Sequence, residues 1–290
     1  MNTTVLGVLF GVIAMFGFGL SNGISQKPSR TLGSVKVTFW RGVFMVAILL
    51  PVFLLNFNGA VFSFKYALIS LGIAFLGYIP LLLFFKAINR GKIGVISPIA
   101  NSSILITVLF SVLFFGEKLS PMRMISIAII FLGIVLISVD FKDLKNSRLF
   151  NKESGIFFAL ISMFLWGVVS ALYKIPVNAI GPIMTTFIVE SGILLWSGIA
   201  MLYEKRSFPL PDRKTAFQTA LVAFFGAIAG LSYTFGLGAS NINLVASLTS
   251  CSPLVATLYG KYFYHEEIKS NQWIAIFVML GGIILLSSFS

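Results

Sequence analysis

Ten apolar stretches of about twenty residues each follow one another along the chain, joined by short polar links, and this succession limits the fold more than any single motif. Each is long enough to cross a hydrocarbon core of about 30 Å as a helix. The stretches run over 4–25, 35–56, 66–88, 93–115, 122–139, 155–175, 182–203, 215–237, 242–264 and 271–289. Helices satisfy their own backbone hydrogen bonds, so a helical bundle is the form they take in lipid. A transmembrane β-barrel would show strands alternating over about ten residues; here thirty Phe sit on continuous runs. With 58% hydrophobic and 10% charged residues, there is too little polar sequence to cover a soluble globule.

The first stretch starts directly after Met1-Asn2-Thr3-Thr4, with no cationic segment and no small-residue cleavage site, and is expected to be a retained span. The longest polar link, Asp140 to Glu153, divides the spans five and five. It predicts two units, 1–140 and 154–290, around a connector at 141–153.

The two units repeat each other. Gly7, Phe10, Ile13, Met15, Phe16, Gly19 and Pro28 recur 148 residues later as Gly155, Phe158, Ile161, Met163, Phe164, Gly167 and Pro176. One residue further out of register, Ser103, Leu105, Leu109, Phe114, Glu117, Gly133 and Ser138 recur as Ser252, Leu254, Leu258, Phe263, Glu266, Gly282 and Ser287. The segments Gly94 to Ser120 and Asn243 to Lys269 are the clearest copies: apolar, with a polar heart, closed by an acid. An odd number of spans per repeat turns the second unit upside down. The expected fold is therefore an all-α membrane protein of ten transmembrane helices arranged as two inverted five-helix repeats, the architecture of alternating access with a site near the midplane.

The ordered set Phe39-Trp40-Arg41, Gly116-Glu117, Gly133, Trp166-Gly167, Ser252-Pro253, His265-Glu266 and Gly281-Gly282 resembles the EamA-type carriers of the drug/metabolite transporter superfamily over nearly the whole chain. Two positions depart from the pattern: Ile104 stands where the register puts the partner of Pro253, with the proline at Pro98 instead, and Phe18-Gly19 replaces a common Trp-Gly. The resemblance implies a ten-helix metabolite carrier in the cytoplasmic membrane with its termini inside. The charges imply the opposite orientation. Only Lys65, Lys118, Arg123 and Lys174 lie in links on one side of the membrane, while every other Lys and Arg except Arg41 borders the other side. The positive-inside bias then puts both termini outside.

The net charge of +12 belongs to these short links, which argues for a membrane surface and against nucleic acid as partner. Cys251 is the sole cysteine and His265 the sole histidine. No internal disulfide, metal site, cofactor or enzymatic acid/base constellation is expected from them.

Ionisable residues within spans are functional candidates by default. Arg41 and Glu190 occupy positions 149 residues apart, in spans two and seven, with opposite charge. Arg41 can snorkel to the interface. Glu190 can face a cavity, pair with a cation or carry a proton, so proton coupling competes with a packing role. The polar hearts of spans four and nine supply Asn101, Ser102 and Ser250, Ser252 as substrate-site candidates, with Pro98 and Pro253 as gating hinges. Asn22 and Ser170 form a second symmetric pair. Trp166, Tyr78 and Tyr233 are candidates for an aromatic wall. Glu117 and Glu266 read as structural, each beginning a tight turn or capping the helix that follows it. Taken together, the sequence predicts a secondary active transporter, monomeric or homodimeric, moving small organic metabolites such as amino acids or related solutes, with export one direction open to it. A lipid or lipid-linked sugar flippase is the alternative, and a channel a more distant one.

Overall fold

The computed structural model describes residues 3–91, 93–138, 155–205, 207–265, 267 and 270–288. Within them the chain forms helices α1 Thr3–Leu32, α2 Ser34–Asn56, α3 Phe64–Arg90, α4 Ile93–Asn101, α5 Ile104–Phe115, α6 Pro121–Ser138, α7 Gly155–Leu172, α8 Lys174–Ile180, α9 Pro182–Tyr203, α10 Arg213–Ala239, α11 Ile242–Thr249, α12 Ser252–Tyr264 and α13 Ser270–Ser288. Three spans are each built from two consecutive helices: α4 with α5, α7 with α8, and α11 with α12. Counting each as one, eight segments are long and apolar enough to cross a membrane, and two shorter apolar helices, Pro121–Leu136 and Gln272–Ser288, complete ten. The protein is an all-α membrane protein. The connector 141–153 and Glu266 lie outside the described residues.

The breaks follow local chemistry. In the fourth span the helix ends at Asn101, and Ser102 turns its hydroxyl back onto the Pro98 carbonyl at 3.1 Å. In the ninth, Ser250 and Cys251 interrupt the helix and Pro253 opens the next one, where a missing N–H costs nothing. Pro253 therefore starts a helix, whereas Pro98 lies inside α4. The break at Tyr173 departs from the continuous span expected over 155–175; Pro176, three residues on, is the local signal. At the start of α10, Asp212 accepts from the backbone N–H of Lys214 and Thr215, both at 3.1 Å. A hydrogen bond from the Thr215 side chain foremost, and then these backbone bonds, hold its carboxyl below the usual carboxylate range.

Glycines set the closest helix contacts. A Cβ at Gly19 would lie 2.4 Å from Val255 Cβ, and one at Gly167 would lie 2.4 Å from Ile106 Cβ, so α1 meets α12 as α7 meets α5. A Cβ at Gly133 would lie 2.3 Å from Met279 Cγ, and one at Gly282 2.8 Å from Ile130 Cγ1, which joins α6 to α13 by a reciprocal contact. With no hydrophobic drive between helices in lipid, such close approach supplies the van der Waals attraction that holds them. Large apolar side chains such as Leu113, Phe164, Phe217, Phe277 and Ile284 are exposed on the outside, as a lipid-facing surface allows.

Candidate functional site: a central cavity with a buried ion pair

The helices enclose a cavity of about 170 Å³. Residues at helical spacing turn one face of each helix toward it: Phe18, Ser21, Asn22 and Ser25 from α1, Gly77, Leu81 and Phe85 from α3, Trp166 and Ser170 from α7, and Thr186, Glu190 and Ile193 from α9. The broken spans contribute Asn101, Ser103, Thr107, Ala246, Thr249 and Ser250, and Arg41, Tyr173, Val222, Gly230 and Tyr233 fill the remaining wall with Val169. None of the lining residues comes from α6, α12 or α13.

Arg41 and Glu190 meet in this wall. Arg41 Nη1 donates to Glu190 Oε2 at 3.0 Å and Nη2 to Oε1 at 3.3 Å, a parallel two-point pair. Both side chains are almost fully buried, at 8% and 11% exposure, so the guanidinium does not snorkel to the interface. Gly226 makes room for it: a Cβ there would lie 3.4 Å from Arg41 Nη2. Isolated, either charge would be costly at this depth; paired, each supplies the other's counter-charge. Of the alternatives open to Glu190, the structure displays pairing at a cavity wall.

Asn101 and Ser250 both line the cavity. Asn101 Nδ2 donates to the Ser97 carbonyl at 2.8 Å, and its Oδ1 accepts from Ser252 Oγ at 3.0 Å. Ser252 itself is fully buried and outside the lining, with its hydroxyl bonded to Asn101. Asn22, Trp166, Ser170 and Tyr233 also line the cavity. The Tyr233 hydroxyl donates to the Ser170 carbonyl at 2.9 Å, and its ring meets Tyr173 edge-on at 6.3 Å. Among the described residues, the buried hydroxyl of Thr249 has no hydrogen-bond partner. It is turned away from the open space, into the surrounding helices.

Two candidates stand elsewhere. Tyr78 packs into the core between α3, α7 and α9, with Val169 and Ile193. It follows Gly77, the cavity residue, by one position, which rotates it about 100° around the helix. Ser102 is displaced by the same rotation from Asn101 and faces a separate apolar groove lined by Leu105, Phe131 and Leu160. Sequence reasoning passed over Phe18, Ser21, Ser25, Phe85, Thr107 and Thr186. The signal for α1 was available, since 18, 21, 22 and 25 mark one helical face.

One boundary of the site is held by charged caps. After α5, Gly116 takes a left-handed turn with φ 63°, which sends the chain sharply away from the helix axis. Glu117 then reaches α11: Oε1 accepts from the Ile242 N–H at 2.6 Å and Oε2 from Asn243 at 3.0 Å. Of the two roles expected, Glu117 stands at the tight turn, and the helix it caps is α11 from the other half of the chain, not the next one. Lys174 Nζ donates to the carbonyls of Leu237 and Ser240, the latter at 2.7 Å, at the end of α10. The turn between α10 and α11 is therefore gripped on both sides, an acid at the N-terminus of one helix and a cation at the C-terminus of the other, as the helix dipoles favour.

Comparison with known proteins identifies this architecture. The chain is similar to an uncharacterized transporter of Archaeoglobus fulgidus, 26% identical over 267 residues, covering 91% of this chain and 92% of that protein. It is similar to the pseudopaline exporter CntI of Pseudomonas aeruginosa, 28% identical over 252 residues, covering 79% and 87% of the two chains. A solved structure titled only as the crystal structure of a protein superposes with a TM-score of 0.77 over 98% of this chain and 96% of its own, at 16% identity, which shows the shared fold. The pattern of the EamA-like transporter family matches residues 5–139 and again 153–288. Matched twice along nearly its whole length, the chain belongs to the EamA-like transporter family.

Proposed function

We propose that the protein is a secondary active carrier that moves small organic metabolites, such as amino acids or related solutes, across the cytoplasmic membrane by alternating access. The observation that carries this reading is the cavity, bounded by helices of both matched stretches and furnished with an ion pair, two asparagines and an aromatic wall. Large binding pockets for drug-sized molecules reach about 300–1,000 Å³; this smaller space suits a metabolite. The reciprocal contacts of Gly19 with Val255 and Gly167 with Ile106 support two inverted units, 1–140 and 154–290, rocking against each other. Asn22, Asn101, Trp166, Ser170, Tyr233 and Ser250 are the substrate-contacting residues in this reading, and Glu190 is the candidate for proton coupling. The relative named an exporter favours export as the direction.

Proteoliposomes are expected to show saturable, gradient-driven flux for part of a panel of amino acids, amines and sugars. Fast non-saturable leak would identify a channel, and movement of lipid with no soluble solute a flippase. The charge asymmetry favours termini outside, against the family resemblance, which favours them inside. A cysteine at Asn2, in a Cys251→Ala background, is then expected to react with an impermeant maleimide on intact cells, and protection from the reagent would reverse the orientation.

A further inference from the structure

We infer that the Arg41–Glu190 pair is the specificity element of the cavity, and that the solute it selects is a zwitterion whose ammonium and carboxylate together replace the pair's own contact. The inference rests on the carrier reading and deepens it.

The charge inventory of the wall leads here. Arg41 and Glu190 are the only Lys, Arg, Asp or Glu among the lining residues, and their formal charges cancel. A cationic solute beside Glu190 competes with Arg41 for one carboxylate and leaves the guanidinium facing a like charge in a poorly solvated space. An anion beside Arg41 does the converse to Glu190. A neutral solute gives neither group a counter-ion, so the pair stays closed. A zwitterion alone offers each group an opposite charge, making two pairs from one. Its charges sit one carbon apart in an α-amino acid, close enough to engage both members of a pair now in contact at 3.0 Å. Arg41 suits this exchange because its planar fork holds a carboxylate at two points, whether Glu190's or the solute's.

The rest of the cavity limits the size and polarity of that zwitterion. Space of about 170 Å³ is several times a water's share of about 30 Å³, which confines the solute to a small molecule. Phe18, Phe85 and Trp166 present apolar surface to that side chain.

The test uses the purified protein in detergent and four probes sharing one ring, all at neutral pH: L-phenylalanine, phenethylamine, 3-phenylpropionate and the uncharged 3-phenylpropanol. Calorimetric titration is expected to give affinity for phenylalanine at least tenfold above the other three. The variants should invert the ranking in opposite senses. Glu190→Gln leaves Arg41 alone and should prefer 3-phenylpropionate; Arg41→Gln should prefer phenethylamine. If either variant fails to fold, the wild-type ranking decides. Equal binding of amine, acid and zwitterion by the wild type, or an unchanged ranking in the variants, overturns the inference. So does saturable flux of a neutral solute with no binding by the phenylalanine series, which leaves the carrier reading intact. Absence of saturable flux for every solute in the wider panel overturns the carrier reading itself.

Discussion

Arg41→Met and Glu190→Met, made singly, are each expected to destabilise the protein by about 3–5 kcal/mol, and made together to return it to the parent stability or above. The asymmetry follows from what each change leaves behind. A single substitution strands one ion with 8% or 11% exposure and no counter-charge, the costly state for a buried pair. The double substitution removes both charges and fills similar volume with apolar side chains, which costs no desolvation. Unfolding in mixed detergent, arranged as a double-mutant cycle, measures the coupling directly. Two single variants within about 0.5 kcal/mol of the parent would mean that water reaches both groups and that the pair carries little energy. Transport should separate from stability in the same set: the double variant folds but loses saturable flux, since the charges that read the solute are gone. A double variant that still transports would confine the pair to a structural role.

This division of labour bears on what the sequence could reveal. The ten spans, the repeat and the family resemblance were legible because they rest on properties spread over many residues: apolar length, a constant register and an ordered set of glycines and acids. Arg41 and Glu190 were legible as a symmetric pair of unlike charges, yet their contact was not, because residues 149 apart meet only through the crossing of α2 and α9. Asn101, Ser250, Asn22 and Ser170 stood out as polar residues in apolar helices, and all four line the cavity. Polarity alone misled at Ser102, whose hydroxyl is satisfied by its own helix and whose position faces the other way. Tyr78 failed for the same reason: one residue of helical rotation separates the cavity wall from the core. The lining phenylalanines were hidden by abundance, since a cavity Phe and a lipid-facing Phe have the same sequence context.

The second large effect is expected at Glu117. Its carboxylate ties the end of α5 by hydrogen bonds to the first amides of α11, helices whose inner faces present Thr107, Ala246 and Thr249 to the cavity. For the cavity to open past the α10–α11 turn, α5 and α11 must separate and this cap must break. Replacing an N-cap costs about 0.5–2 kcal/mol, and loss of the charge at the helix dipole adds to it. Glu117→Gln keeps the size but removes the charge and one acceptor, so it should shift the balance between closed and open forms about tenfold toward opening, the factor given by about 1.4 kcal/mol. A reporter is at hand in Val177, which is buried at 3% exposure in α8 on the same side of the cavity. In a Cys251→Ala background, Val177→Cys should react slowly with a maleimide in the otherwise native protein and about tenfold faster when Glu117→Gln is added. Lys174→Met, which releases the other side of the turn, should accelerate labelling in the same direction. Unchanged labelling in both variants would make the two caps local stabilisers of their helices, with the barrier to opening held by the Tyr173–Tyr233 contact instead. Labelling that falls would mean that the cap belongs to the open form.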